Sequence, residues 1–336
     1  MKPNSKLLAV AASLLSIMAW TAVPAFAQLN GENLLGDNGV KSGSQAAPGT
    51  YLGFLYYRYG SDSIKNQDGS DLALNPADPG SMALHAALPL VLYVSKAKLF
   101  GANYGAMFAL PTANGSLEAP GFGFQSDIGT GLADAYFVPL QLGWHFKRAD
   151  VISSAAFFAP TGRYTAGATD NVGKGMWSYE FSGGTTFYAD EKKSISIATT
   201  AYWELHSRKS GTADVNIDHV QLTNAKVGQL LTLEGGVAKS FLEGAASIGM
   251  AYYAQFKLTQ DEFGFRVQPP AGAIVGKHRV FGLGPDVTIP IATKTKLISL
   301  VNVRYFWEAD ARVKTQGQSL VLAAMFPIPS IKIPTK

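Results

Sequence analysis

Six acidic residues, Asp134, Glu180, Glu204, Glu234, Asp286 and Glu308, recur at wide intervals among aromatic and aliphatic neighbours. Lys239, Lys257 and Arg304 share that setting, as do Tyr202, His145 and His206. Opposed carboxylates and cations around an enclosed space can form a constriction that admits some solutes and repels others. They can equally form a network of paired charges that braces a narrow interior. Phe137, Tyr253, Phe306, Val321 and Met325 would add an apolar share to the lining, a mixture suited to a weakly polar aromatic solute or to plain packing. The five histidines, His85, His145, His206, His219 and His278, lie on separate segments without H-x-x-x-H or H-E-x-x-H spacing, so a metal or a catalytic centre is not expected. Thr259 to Glu262 reads as a solvated acidic turn rather than a cation loop. There is no G-x-S-x-G elbow, phosphate loop or dinucleotide fingerprint, and no cysteine, so no catalytic residue and no cofactor is predicted.

Elements must place these groups on one face. No apolar run after the amino terminus approaches the ~18 residues of a membrane helix. Segments of roughly ten residues with two-residue alternation recur instead. They lie near Thr50–Tyr59, Met82–Val94, Leu99–Pro111, Leu132–Phe146, Val151–Pro160 and Trp177–Tyr188. Ser194–His206, Val227–Phe241, Ala245–Leu258, His278–Pro290, Lys296–Ala309 and Ser319–Phe326 follow. The phase is clear in Ser194–His206, where Ile195, Ile197 and Trp203 oppose Ser196, Thr200, Glu204 and His206. Thr50–Tyr59 and Ser319–Phe326 do not separate into two faces. In Gly131–Phe146, Tyr136, Val138, Leu140, Leu142 and Trp144 are assigned to the apolar face. Asp134, Phe137, Pro139, Gln141, Gly143 and His145 are assigned to the inner one, with a bulge or missing ladder bond at Pro139.

Short joints (Ser95–Lys98, Lys147–Asp150, Glu191–Lys193, Leu242–Gly244, Ala292–Thr295) interleave with long ones. The long ones are Gly60–Ser81, Thr112–Gly131, Thr161–Met176, Ser207–Lys226, Thr259–Lys277 and Asp310–Gln318. That sorting, with about twelve strands, predicts a closed antiparallel up-and-down transmembrane β-barrel with short periplasmic turns and longer extracellular loops. Closure is required because an unpaired backbone group in hydrocarbon costs several kcal/mol. Tyr136, Trp144, Trp177, Phe187, Trp203, Tyr305 and Trp307 suit interfacial girdles.

Lys2 and Lys6, the apolar run Leu7–Trp20 and Ala25-Phe26-Ala27 form a secretory signal, expected to be removed at residue 27. The formal charge then falls from +4 to +2, as two lysines and no acid are lost. Only 15% of residues are charged and 47% are hydrophobic, fewer charges than the roughly one quarter of a soluble domain. No basic tract remains for a nucleic acid. The expected organisation is signal over 1–27, an amino-terminal lead-in or small plug over 28–49, barrel over 50–328 and a tail over 329–336. Outer-membrane lipid is the expected surrounding.

Beyond these patterns, the segments APGTYLGFLYYRYG (Ala47–Gly60), GTGLADAYFVPLQLGWHF (Gly129–Phe146), APTGRYTAG (Ala159–Gly167) and MWSYEFSGGTTFY (Met176–Tyr188) resemble the MetA-pathway phenol-degradation family, including its SphA-like members. The resemblance continues through GMAYYAQFKLTQDEFG (Gly249–Gly264), HRVFGLGPDVTIPI (His278–Ile291) and VRYFWEADARVKTQGQSLVLAAMF (Val303–Phe326), nearly the whole mature chain. It implies an outer-membrane channel for passive uptake of small hydrophobic or aromatic compounds linked to catabolism. Residues 207–226 lack the acidic, Asn-rich stretch associated with many relatives. A barrel of this kind also implies the barrel-assembly machinery as a partner during biogenesis. Two other functions fit such a barrel. One is a lipase-like enzyme, which needs a Ser and a His adjacent on the outer face. The other is a structural or adhesive barrel acting through its loops.

Overall fold

Strand β9 (Ile195–His206) shows how the sequence builds the wall. Its side chains alternate exposed and buried without a fault, Ile195, Ile197 and Trp203 outward and Ser196, Thr200, Tyr202, Glu204 and His206 inward. A pleated strand puts successive side chains on opposite faces, so polarity alone selects which side meets which solvent. The computed structural model describes residues 30–71, 80–119, 124–215, 220–223, 225–262, 276–329 and 331–332. The signal sequence expected over 1–27, and His219, lie outside the described residues.

Twelve strands close into one antiparallel ring. In spatial order these are β1 (Gly49–Lys65), β2 (Ser81–Leu99), β3 (Ala102–Ala109), β6 (Ala135–His145), β7 (Ala149–Ala159) and β8 (Ser178–Tyr188). They continue with β9, β12 (Leu230–Phe241), β13 (Ala246–Lys257), β14 (Arg279–Ala292), β15 (Lys296–Arg312) and β16 (Lys314–Ile328). β16 pairs back onto β1, with Tyr57 opposite Val321, so the membrane-crossing wall has no edge. A small hairpin, β10 (Thr212–Val215) and β11 (Val220–Thr223), stands apart, and β17 (Ile331–Lys332), from the expected tail, pairs with β15. Among the described residues no helix is long and apolar enough to cross a membrane.

Leu52, Phe54, Phe181, Ile197, Val237, Ile248, Met250, Leu283 and Ile289 are all about half exposed on the outer face. An apolar band of that extent would not persist in water, whereas lipid is its natural solvent. Phe108, Phe137, Phe157 and Trp177 form a continuous aromatic ribbon on that face, with centroids 4.8, 5.0 and 5.9 Å apart. Trp177, Phe187, Trp203 and Trp307 are exposed on it as well. The closed barrel with this band is a bacterial outer-membrane protein.

Several details of the strand reading are corrected. Thr112–Gly131 and Asp310–Gln318 are not loops. The first forms the hairpin β4 (Thr112–Ala119) and β5 (Phe124–Leu132), and the second is strand up to a tight turn at Val313. β3 and β4 are one path interrupted at Leu110–Pro111, since β2 pairs with both in a single register. The joint between β2 and β3 is Phe100–Gly101, not Ser95–Lys98; both residues have positive φ, 51° and 79°, as a two-residue hairpin turn requires.

The ladder breaks at Pro139, where two residues of β6, Val138 and Pro139, oppose one residue of β7. A proline has no N–H for the ladder, and the extra residue inverts the side-chain phase. Tyr136 and Val138, assigned to lipid, therefore point inward, and Phe137, assigned to the lumen, lies in the outer aromatic ribbon. Pro139 itself is exposed. Lys239 is likewise on the outer face, with Val237, where its ammonium reaches Ser194 Oγ at the short-turn rim (2.8 Å).

Candidate solute path through the lumen

Residues 30–48 carry little regular structure, so their backbone N–H groups need acceptors supplied from elsewhere. Three inward carboxylates provide them. Glu204 on β9 accepts from Glu32 N–H (2.7 Å), and Glu234 on β12 accepts from Gly36 and Asn38 (2.7 and 3.2 Å). Asp286 on β14 accepts from Val40 N–H (2.9 Å) while its second oxygen takes Asn302 Nδ2 (2.6 Å). The segment is thus tied through the lumen as an inner strap. Gly39 makes a close approach, with φ +63°, and a Cβ there would collide with the Asp286 carboxylate and Arg304.

At the short-turn end the strap is held by Ser44 Oγ to Asp150 (2.9 Å) and Gln45 to Gln141 (3.1 Å). At the other end Lys174 donates to the Asn30 and Gly31 carbonyls and stands 3.9 Å from Glu32. Lys209, in the loop beyond β9, donates to the Lys174 carbonyl (2.7 Å). Its burial, reinforced by the Lys174 charge, pushes the ammonium down to about 8.

The sequence candidates fall into separate groups. Glu180 faces Glu204 directly across β8 and β9 and accepts the Tyr136 hydroxyl (2.7 Å). His206 stands 3.6 Å from Glu204, with its Nδ1 on the Gly228 carbonyl. Tyr202 and Arg304 are buried on the same inner surface. Glu308 is part of another cluster, accepting Tyr59 and Tyr253 hydroxyls and Gly317 N–H (2.8, 2.9 and 2.7 Å). Lys257 pairs with both oxygens of Asp261 at 2.8 Å near the long-loop end. His145 is at the opposite rim, 3.2 Å from Asp150, which also takes Tyr188 and Lys193.

Asp134 does different work. Pairing of β6 with β7 ends at Ala135, and β5 above it has no further strand partner among the described residues. The loop 160–177 covers that edge, with Arg163 N–H on the Leu132 carbonyl (3.1 Å) and Ser126 Oγ on Thr169 (2.7 Å). Asp134 clamps the loop by accepting from Gly162 and Lys174 N–H (2.9 and 2.8 Å). Asp134→Ala is expected to weaken this local closure by about 2 kcal/mol or more, given charge-assisted bonds of roughly 1.5–3 kcal/mol. Amide hydrogen exchange at Gly162, Arg163 and Gly173 would accelerate while β9 and β12 keep their protection; unchanged exchange would refute the clamp.

Sequence reading missed Asp150, taken as part of a turn, and the cluster of Gln255, His278 and Lys314. It also missed Tyr57 and Tyr59, which lie on a strand with no visible alternation. Among the described residues no group of three or more His, Asp or Glu is arranged to hold a metal.

The family model described as "Putative MetA-pathway of phenol degradation" matches residues 61–324. The chain belongs to this family. No curated protein sequence matches it. The family member shares its fold with the COG4313 outer membrane channel from Pseudomonas putida F1, at TM-score 0.66 and 12% identity over 88% of this chain and 99% of that one. Weaker likenesses are to a TodX mutant monoaromatic hydrocarbon channel (TM-score 0.43, 10% identity, 84% and 90% covered) and a Pseudomonas aeruginosa FadL homologue (0.39, 9%, 88% and 98%). These last two carry no weight beyond general barrel shape.

Proposed function

We propose that this family member is a passive outer-membrane channel for small hydrophobic or aromatic compounds, phenol-like in character, and that it is not an enzyme. The observation that carries the reading is the lumen lining. Leu55, Tyr57, Tyr59, Tyr253, Phe306 and Val321 make a buried apolar and phenolic wall against which Leu35 and Val40 of the strap pack, and the carboxylates of Glu204, Glu234 and Asp286 hold the strap by its backbone. Aromatic faces accept a ring, and hydroxyls such as those of Tyr59 and Tyr253 can exchange hydrogen bonds with a phenolic OH. A freely hydrated sugar would lose its water against such a wall without repayment. Family membership and the shared fold of a described outer-membrane channel support the same reading. The strap is the proposed constriction, and Glu204, Glu234 and Asp286 are its proposed anchors.

Proteoliposomes are expected to take up phenol or a cresol faster than protein-free vesicles, with little gain for a pentose of similar size. Equal rates with and without protein for the phenol would refute the reading. A lipase-like role finds no support in the placement of His85, His145 and His206 among the described residues. His145 and His206 are inward, and His85 on the outer face bonds the Tyr56 hydroxyl (2.7 Å).

A further inference from the structure

One patch of the outer face departs from the apolar pattern. β1 starts at its short-turn end with Gly49, and about nine to eleven residues carry a strand across the hydrocarbon, which brings Arg58 and Gly60 to the outer boundary. There a depression of about 600 Å³ opens between β1, β16 and β15, lined by Arg58, Gly60, Asp62, Tyr305, Trp307 and Gln318. Arg58, Trp307 and Gln318 are exposed on the outward phase of their strands and a Cβ on Gly60 would meet nothing within 4 Å, so the hollow opens to the lipid side, with Glu308 bordering it from the inner phase.

Its chemistry is graded with depth. Below lie Leu52, Phe54, Leu322 and Phe326, exposed apolar residues against which acyl chains can run. Arg58 is exposed, and among the described residues its guanidinium takes no carboxylate. The nearby cations differ, since Arg279 and Arg312 are both paired with Asp310 (2.6 and 3.4 Å). Tyr56 and His85 bond each other and leave Arg58 to the hollow. Tyr305 and Trp307 stand edge-on, 4.9 Å between centroids; Asp62 offers carboxylate acceptors above, and Gln318, whose Oε1 takes the Tyr305 hydroxyl, offers its amide N–H. A guanidinium at the edge of hydrocarbon is costly without a counter-anion, and its planar fork matches a phosphate. Aromatic faces, an amide donor and carboxylate acceptors suit sugar rings and hydroxyls.

We propose that this hollow seats the headgroup of a phosphorylated glycolipid of the outer leaflet. The phosphate lies on Arg58, the sugar lies between Trp307 and Gln318, and the acyl chains descend past Phe54 and Leu322. Such a lipid would hold the β1–β16 closure of the barrel in a fixed lipid environment.

The test is native mass spectrometry of the detergent-solubilised full-length mature protein titrated with diphosphorylated lipid A, dephosphorylated lipid A and phosphatidylglycerol. The wild type is expected to retain diphosphorylated lipid A at least about tenfold more tightly than the dephosphorylated form, as a charge-assisted bidentate pair warrants. Arg58→Gln should remove that preference, Arg58→Lys should keep part of it, and Gly60→Leu, which fills the hollow, should weaken lipid A binding with Arg58 intact. Arg279→Gln should leave it unchanged, and the heat-modified gel mobility of each variant reports the folded barrel. Equal binding of phosphorylated and dephosphorylated lipid, equal binding by Arg58→Gln and wild type, or preference for phosphatidylglycerol would each overturn the proposal.

Discussion

Deleting residues 30–48 from the mature chain is expected to raise single-channel conductance in planar bilayers by about fivefold or more, because a twelve-strand barrel is wider than the roughly eight strands whose side chains alone fill the interior. The strap supplies the missing filling. Its backbone is the partner of Glu204, Glu234 and Asp286, so these acids are explained by what they hold as much as by any solute. A graded version follows from the same bonds. Glu234→Ala leaves the Gly36 and Asn38 N–H groups without their acceptor, at about 1–3 kcal/mol for each buried group left unsatisfied. It should give brief full openings on a low-conductance background, whereas Glu234→Gln, which retains an acceptor oxygen, should open less often. Conductance of the deletion equal to wild type, with the barrel folded by gel mobility, would show that the strap is not the constriction.

Most of the ring was legible in the chain because polarity changed every second residue. β9, β13 and β15 each set an apolar face against a polar one, and they emerge with the faces assigned from sequence except at the end of β15, where a register shift opposite Val280 turns Asp310, assigned to the inner face, outward onto Arg279. Where both faces are apolar the signal vanishes, and that absence has a physical source. On β1, Tyr51, Leu55, Tyr57 and Tyr59 face the lumen while Leu52 and Phe54 face lipid. On β16, Val321 is buried inside while Leu322 and Phe326 are outside. The two strands that resisted reading therefore supply most of the apolar side of the lumen, Leu55, Tyr57, Tyr59 and Val321, which Tyr253 of β13 and Phe306 of β15 complete. The error in β6 had another cause. Period-two reading propagates one phase through a segment, and a single extra residue at Pro139 reverses everything on one side of it. The proline signalled a broken ladder but not which half kept the original phase. The strap was not legible as a set of contacts, since its partners lie from about one hundred to more than two hundred residues away in sequence. Nothing local to Gly36, Asn38 or Val40 names an acceptor on β12 or β14.

The second large effect tests the outer face itself. Met250 lies in the fifth position of β13 from its short-turn end, about half exposed, between Val237 and Pro285 on the flanking strands. Half of the nine to eleven residues needed to cross brings it near the bilayer midplane. Met250→Arg is therefore expected to lower the unfolding free energy, measured by denaturant titration in lipid bilayers, by about 2–4 kcal/mol. Lys239 supplies the internal reference. It stands on the same face one rung closer to the rim, opposite Ile248, and reaches Ser194 at the turn, so its stem covers apolar surface while its charge leaves the hydrocarbon. Lys239→Met should accordingly change stability by no more than about 1 kcal/mol, the cost range near an interface. In a water-soluble barrel the order would reverse, because an arginine on an exposed apolar band improves solvation and carries no burial penalty. A cost at Met250 that persists in bilayers of different thickness, and shrinks as the thinner bilayer brings the rim closer, would distinguish a depth-dependent lipid penalty from a local packing defect. A penalty independent of thickness, or none, would remove lipid as the solvent of this face.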